Sequence, residues 1–173
     1  MRLFIAIELP SEVNTHLREL QEKIKGVKVK QASSFHLTLK FLGEVAPVAV
    51  ADIQKRLSLI KVKPLRASLG KIGFFPSKEA PNVIWVGLEP EDEIRELQSA
   101  IETVLAGLFP REKHFQPHLT LSRIKERLDR ASLLRLSNIV VKEIDFKING
   151  FKLIESKLNK DGPNYTTLAS FPQ

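Results

Sequence analysis

The tetrapeptide His-Leu-Thr-Leu occurs twice in this chain, at 36–39 and at 118–121. In an extended strand successive side chains point to opposite faces. Each copy therefore sets His and Thr on one face and two leucines on the other. The leucines predict a side turned to a core, and the imidazole and hydroxyl predict an open one. Two such strands facing each other present two titratable imidazoles and two hydroxyls to one substrate.

The repeat extends beyond the tetrapeptides. Residues 2–9 form a strongly apolar strand, and Pro10-Ser11-Glu12 opens a helix in which Val13, Leu17, Leu20 and Ile24 recur at helical spacing. Val83-Ile84-Trp85-Val86-Gly87-Leu88 repeats the strand. Pro90 and Glu91-Asp92-Glu93 repeat the helix start, followed by Ile94, Leu97, Ile101, Val104, Leu105 and Leu108. Both helices carry Arg-Glu-Leu-Gln, at 18–21 and 95–98. After the motifs, Pro47 predicts a helix with Val50, Ile53 and Leu57 in phase, matched by one over 126–136. A strand follows each, over 65–75 and 139–158. Gly70, Gly73 and Gly150 predict bulges or bends. Asn159-Lys160-Asp161-Gly162-Pro163-Asn164 predicts a turn joining 143–158 to 165–171 in a hairpin. The two halves are thus expected to be duplicated α+β lobes.

At 173 residues, 43% hydrophobic and 27% charged, the chain has the balance of a soluble domain, or of two small lobes sharing a core. It holds no apolar run of membrane-spanning length, and residues 1–8 are too short for a signal peptide. Without cysteine there is no disulfide frame, no thiolate nucleophile and no cysteine-based zinc site, and cytoplasm is the expected compartment. A net charge of +7 suits a polyanion such as RNA, because each neutralised phosphate releases counterions; it equally serves solubility.

Near pH 7 one of two neighbouring imidazoles can be neutral and the other charged, which supplies a base and an acid together. Thr38 and Thr120 can donate to phosphate oxygens. Arg123 suits phosphate, but in a regular strand it would point away from His118, so a bend after Leu121 is required. At the equivalent place Phe41 offers a ring for stacking on a base, or for packing in the core. Tyr165 is a further candidate ligand contact. His16 and His114 are expected to be structural or surface residues, and Lys40 and Lys113 to add to the positive field. A metal site needs a third ligand, which His-x-Thr does not supply and Glu44 reaches only by folding back, so no metal and no cofactor are expected.

With Phe35-His36-Leu37-Thr38-Leu39-Lys40-Phe41-Leu42-Gly43-Glu44 and Pro117-His118-Leu119-Thr120-Leu121-Ser122-Arg123, the chain resembles the two-histidine phosphoesterase superfamily. Within it, the chain is similar to the RNA 2′,3′-cyclic phosphodiesterases, historically called 2′-5′ RNA ligases, along its whole length. The resemblance implies one two-lobed domain over 1–173, with lobes related by a pseudo-twofold axis. Each lobe would be an antiparallel sheet with helices outside, and the motifs would face across a central cleft. It implies metal-independent opening of RNA 2′,3′-cyclic phosphate ends, with tRNA fragments among the candidates, to 2′-phosphates by a monomer with no membrane role. In that scheme His118 activates water, His36 protonates the departing 3′ oxygen, and Thr38, Thr120 and Arg123 hold the phosphate. Two alternatives stay open: 2′-5′ ligation of tRNA-half-like strands at the same site, and a binding module with an idle site.

Overall fold

The computed structural model describes residues 1–160 and 162–172. Strand β1 (Arg2–Glu8) leads through helix α1 (Ser11–Lys23) and a short β2 (Val29–Gln31) into β3 (His36–Glu44), the first motif strand. A 3₁₀ turn at Pro47–Ala49 runs into α2 (Val50–Leu57), followed by β4 (Leu65–Phe75). The order then repeats as β5 (Val83–Glu89), α3 (Glu91–Val104), β6 (His118–Ile124) and α4 (Arg130–Ser137). The chain closes with β7 (Asp145–Ile148), β8 (Phe151–Asn159) and β9 (Gly162–Phe171).

Local chemistry explains most of these boundaries. Leu3 to Ile7 are all buried, as befits a strand covered on both faces. Val13, Leu17 and Leu20 form the buried stripe of α1, and Ile94, Leu97 and Ile101 that of α3. The helix expected from residue 126 begins only at Arg130. There the Asp129 carboxylate accepts the Ser132 N–H at 2.7 Å and so caps the first turn.

The strands form two antiparallel sheets, ordered β3-β1-β8-β9 and β2-β6-β5-β4-β7. The halves do not make one sheet each, as the repeat suggested. Strand β4 follows the first motif in sequence but pairs with β5, beside the second motif. Strand β8 follows the second motif but pairs with β1, beside the first. Two central strands buried on both faces need neighbours on both edges, and each takes one neighbour from the other half. This exchange also divides the strand expected over 139–158. Strand β7 closes one sheet, Asn149-Gly150 makes the crossing, and β8 joins the other. A side chain at Gly150 would overlap the Phe171 carbonyl oxygen, so the crossing needs glycine.

The C-terminal hairpin is tighter than expected, with Gly162 opposite Asn159 and both Pro163 and Asn164 already in β9. Asp161 of the expected turn lies outside the described residues. Of the other glycines, Gly70 sits where β4 gains a residue on β5, whereas Gly73 makes no bulge; it clears space for the Trp85 ring. One hydrophobic cluster joins the sheets and contains all four motif leucines, Leu37, Leu39, Leu119 and Leu121. Among the described residues, no helix is long and apolar enough to cross a membrane.

Candidate active site

The same irregularity shapes both motif strands. Ala6 lies opposite Thr38 and Ile5 opposite Lys40, so Leu39 is an extra residue in β3. Trp85 lies opposite Thr120 and Ile84 opposite Ser122, so Leu121 is an extra residue in β6. A bulge of one residue reverses the alternation beyond it. Two consecutive side chains then turn inward, Leu39 with Lys40 and Leu121 with Ser122, and the next turns out. Arg123 thereby shares a face with His118 and Thr120, supplying the bend that the sequence required.

The bulge also decides between the two places open to Phe41 and corrects the expectation for Lys40. Phe41 is not a core residue: it is 72% exposed and lies on the cleft face. Lys40 adds nothing to the field of the cleft, because it points into the interior. There its ammonium donates to both carboxylate oxygens of Glu102 at 2.9 Å and to the Pro110 carbonyl at 2.8 Å.

Across the junction of the sheets, a cleft of about 540 Å³ gathers His36, Thr38, Phe41, His118, Thr120, Arg123 and Tyr165. No acidic side chain lines it among the described residues, whereas Arg2 and Lys30 do. A second cavity of about 570 Å³ adjoins it, sharing Thr38, Phe41 and His118 and continuing past Lys113 and the exposed His114. His16 is structural: its Nδ1 donates to Glu19 at 3.0 Å and its Nε2 accepts the Lys142 N–H at 3.0 Å. Glu44 faces the chain's amino group at 3.5 Å. Among the described residues, no three His, Asp or Glu side chains converge as a metal-ligand set.

Aromatic rings wall both imidazoles. His36 packs on Phe4, ring centres 4.9 Å apart, and edge-on to Tyr165 at 5.4 Å. His118 packs edge-on to Phe75 at 4.8 Å and near Trp85 at 6.0 Å. Phe4 and Trp85 were missed in the sequence; they lie on β1 and β5, the strands paired with the two motif strands, but not at matching places, since Trp85 lies opposite Thr120 and Phe4 opposite Phe41. Burial among these rings holds both histidines below their ordinary pKa.

The two imidazoles differ in one contact. His118 Nδ1 lies 2.7 Å from the Gln116 carbonyl oxygen. A carbonyl can only accept, so Nδ1 carries the hydrogen and Nε2 is left to exchange a proton. That hydrogen bond raises the His118 pKa against the larger effect of burial, whereas His36 shows burial alone.

Paired imidazoles, paired hydroxyls and a guanidinium in one cleft that no acidic side chain lines among the described residues are the equipment of a phosphoesterase. The chain belongs to the LigT-like phosphoesterases, whose family model matches it twice, over residues 7–85 and 86–165. It is 30% identical to the RNA 2′,3′-cyclic phosphodiesterase of Archaeoglobus fulgidus, over 99% of each chain. It is 34% identical to the protein of that name from Thermus thermophilus, over 99% of this chain and 89% of the relative. A crystal structure of a Thermus thermophilus protein superimposes with a TM-score of 0.81 at 33% identity, covering 99% of this chain and 97% of that one. Escherichia coli LigT, at 22% identity over 98% and 95% of the two chains, shares the fold with a TM-score of 0.77.

Proposed function

We propose that this chain hydrolyses the 2′,3′-cyclic phosphate at an RNA end to a 2′-phosphomonoester, without a metal, as a cytoplasmic monomer. The observation that carries the reading is the pooling of both His-x-Thr pairs and Arg123 in one cleft that no carboxylate lines among the described residues. The relatives named above point to the same substrate.

Both imidazoles are held below their ordinary pKa, which favours their neutral forms at pH 7 in the free protein. An anionic phosphate entering between them favours the imidazolium and supplies the missing acid. Arg123 and the hydroxyls of Thr38 and Thr120 hold the non-bridging oxygens. Water attacks phosphorus in line while His118 Nε2 takes its proton, and the Gln116 carbonyl fixes the ring for that role. The bond from phosphorus to O3′ breaks as His36 delivers a proton to that oxygen. One proton is taken and one given, leaving a 2′-phosphate and a 3′-hydroxyl. Phe41 and Tyr165 lie on the cleft wall as platforms for the terminal base and ribose.

The test is incubation with RNA bearing a 2′,3′-cyclic phosphate, with and without a chelator. The reading expects a 2′-phosphate at equal rate in both; a 3′-phosphate, or activity lost to the chelator and restored by a divalent metal, contradicts it.

The second cavity favours a subsidiary reading. It borders His118, the base, and not His36. A 5′-hydroxyl held there would replace water and give a 2′-5′ linkage. Water prevails unless the hydroxyl is held in place, so ligation is expected only with paired strands such as tRNA halves. Comparing products from free ends and from annealed halves separates the two outcomes.

A further inference from the structure

Strand β2 is only three residues long, yet its register on β6 is fixed. Lys30 lies directly opposite Arg123, flanked by Val29 opposite Ile124 and Gln31 opposite Ser122. The Ala32 N–H donates to the Leu121 carbonyl at 2.9 Å and the Lys125 N–H to the Lys28 carbonyl at 2.8 Å, extending the pairing at both ends. Gln21, on the buried face of α1, donates to the Ala32 carbonyl at 2.9 Å and the Leu121 carbonyl at 2.8 Å. A buried amide therefore holds β2 against the bulge that turns Arg123 into the cleft.

Like charges directly opposite on paired strands repel. Neither Lys30 nor Arg123 forms an ion pair among the described residues, both side chains line the cleft, and no carboxylate lines it with them. A fixed pair of unneutralised cations in a cleft is a place for an anion. Solubility alone gives no reason to aim the second cation at the first.

Arg123 is already engaged by the phosphate between the histidines in the proposed reaction, and Lys30 stands beside it on the edge strand. We propose that Lys30, beside Arg123, binds the phosphodiester that precedes the cyclic end. The site thereby selects RNA of two or more nucleotides over a cyclic mononucleotide. The inference rests on the cyclic phosphodiesterase reading and names the part of the substrate that reading leaves open.

The experiment measures kcat/KM for a cyclic mononucleotide and for a dinucleotide ending in the same 2′,3′-cyclic phosphate, at several salt concentrations. The wild type is expected to favour the dinucleotide. Lys30→Met keeps the stem and removes the charge. It is expected to lower the dinucleotide-to-mononucleotide ratio about tenfold, the size of one charged hydrogen bond to phosphate, mainly through KM. It is also expected to reduce the salt slope on the dinucleotide by about one, and Lys30→Arg to restore most of the ratio. The ratio cancels general damage to the shared chemistry. A ratio unchanged in Lys30→Met, with the wild type active, overturns this inference and leaves the hydrolase reading standing. A wild type inactive on both substrates overturns both.

Discussion

The two motif strands have the same backbone and different surroundings. Each runs His-Leu-Thr-Leu, each bulges at its second leucine, and each turns two consecutive side chains inward before exposing the next. At the inward place the first copy has Lys40 and the second Ser122. At the outward place the first has Phe41 and the second Arg123. The duplication thus supplies the geometry, and the divergence supplies what the proposed reaction divides between the copies: a ring for the nucleoside on one side and a guanidinium for the phosphate on the other.

The inward pair carries a second lesson. The Glu102 carboxylate that receives Lys40 also accepts from Gln98 at 2.9 Å and from the Glu112 N–H at 3.2 Å. The first motif strand is thereby fastened to α3 and to the loop that ends in Gln116 and His118. The Gln116 side chain is tied in turn to Glu91 at 2.7 Å and to Arg95 at 3.0 Å, and Arg95 bonds the Phe115 carbonyl. Copy one braces the segment from which copy two receives its oriented imidazole.

The comparison can be broken first at the histidines. His36→Ala and His118→Ala are each expected to lower kcat by about 10²- to 10⁴-fold, the usual contribution of a positioned acid or base. Near-normal turnover in either purified variant would end the two-imidazole account. Next comes the buried ion pair behind the first copy, where the second copy has Ser122. Lys40→Met leaves a buried carboxylate without its cation and is expected to cost about 3–5 kcal/mol in denaturant unfolding. Lys40→Met with Glu102→Leu should recover part of that loss.

The outward pair should separate by kinetics. Arg123→Ala is expected to lower kcat/KM by about 10- to 100-fold, from loss of a charged phosphate contact. Phe41→Ala should lower it about tenfold or less, mainly in KM and unequally among terminal bases. Equal effects in kcat would erase the asymmetry.

The smallest effect is the position of the pH profile. Burial holds both imidazoles below about 6.5, so the kcat/KM bell should peak on the acid side of that value. It should fall at higher pH as the acid loses its proton, and at lower pH as the base gains one. Bound phosphate raises both pKa values, so the kcat profile should lie to the alkaline side of the kcat/KM profile. A kcat/KM peak well above pH 7 would contradict the burial argument.

Much of this was legible in the sequence because period-2 patterning and helical spacing are local. The alternation of His36, Leu37, Thr38 and Leu39 named both the cleft face and the core face, and β4 was bounded correctly at Leu65 and Phe75. What was hidden depends on pairing between distant segments. No local signal marks a bulge at Leu39, so Lys40 was assigned to the wrong side of β3 and the two readings of Phe41 stayed open. The exchange of β4 and β8 between sheets is equally non-local, and it made the bend expected at Gly150 a crossing from one sheet to the other. The place of Lys30 opposite Arg123 follows from a register that only Gln21 and the β2–β6 pairing establish.

The most direct test of the central claim, that one cleft divides acid and base between the two copies, uses a 2′,3′-cyclic substrate with sulfur in place of O3′. A thiolate leaves without needing a proton. The account predicts that His36→Ala regains most of its lost rate on this substrate, relative to wild type, while His118→Ala stays impaired. Equal impairment of both variants, or rescue of His118→Ala alone, would contradict it.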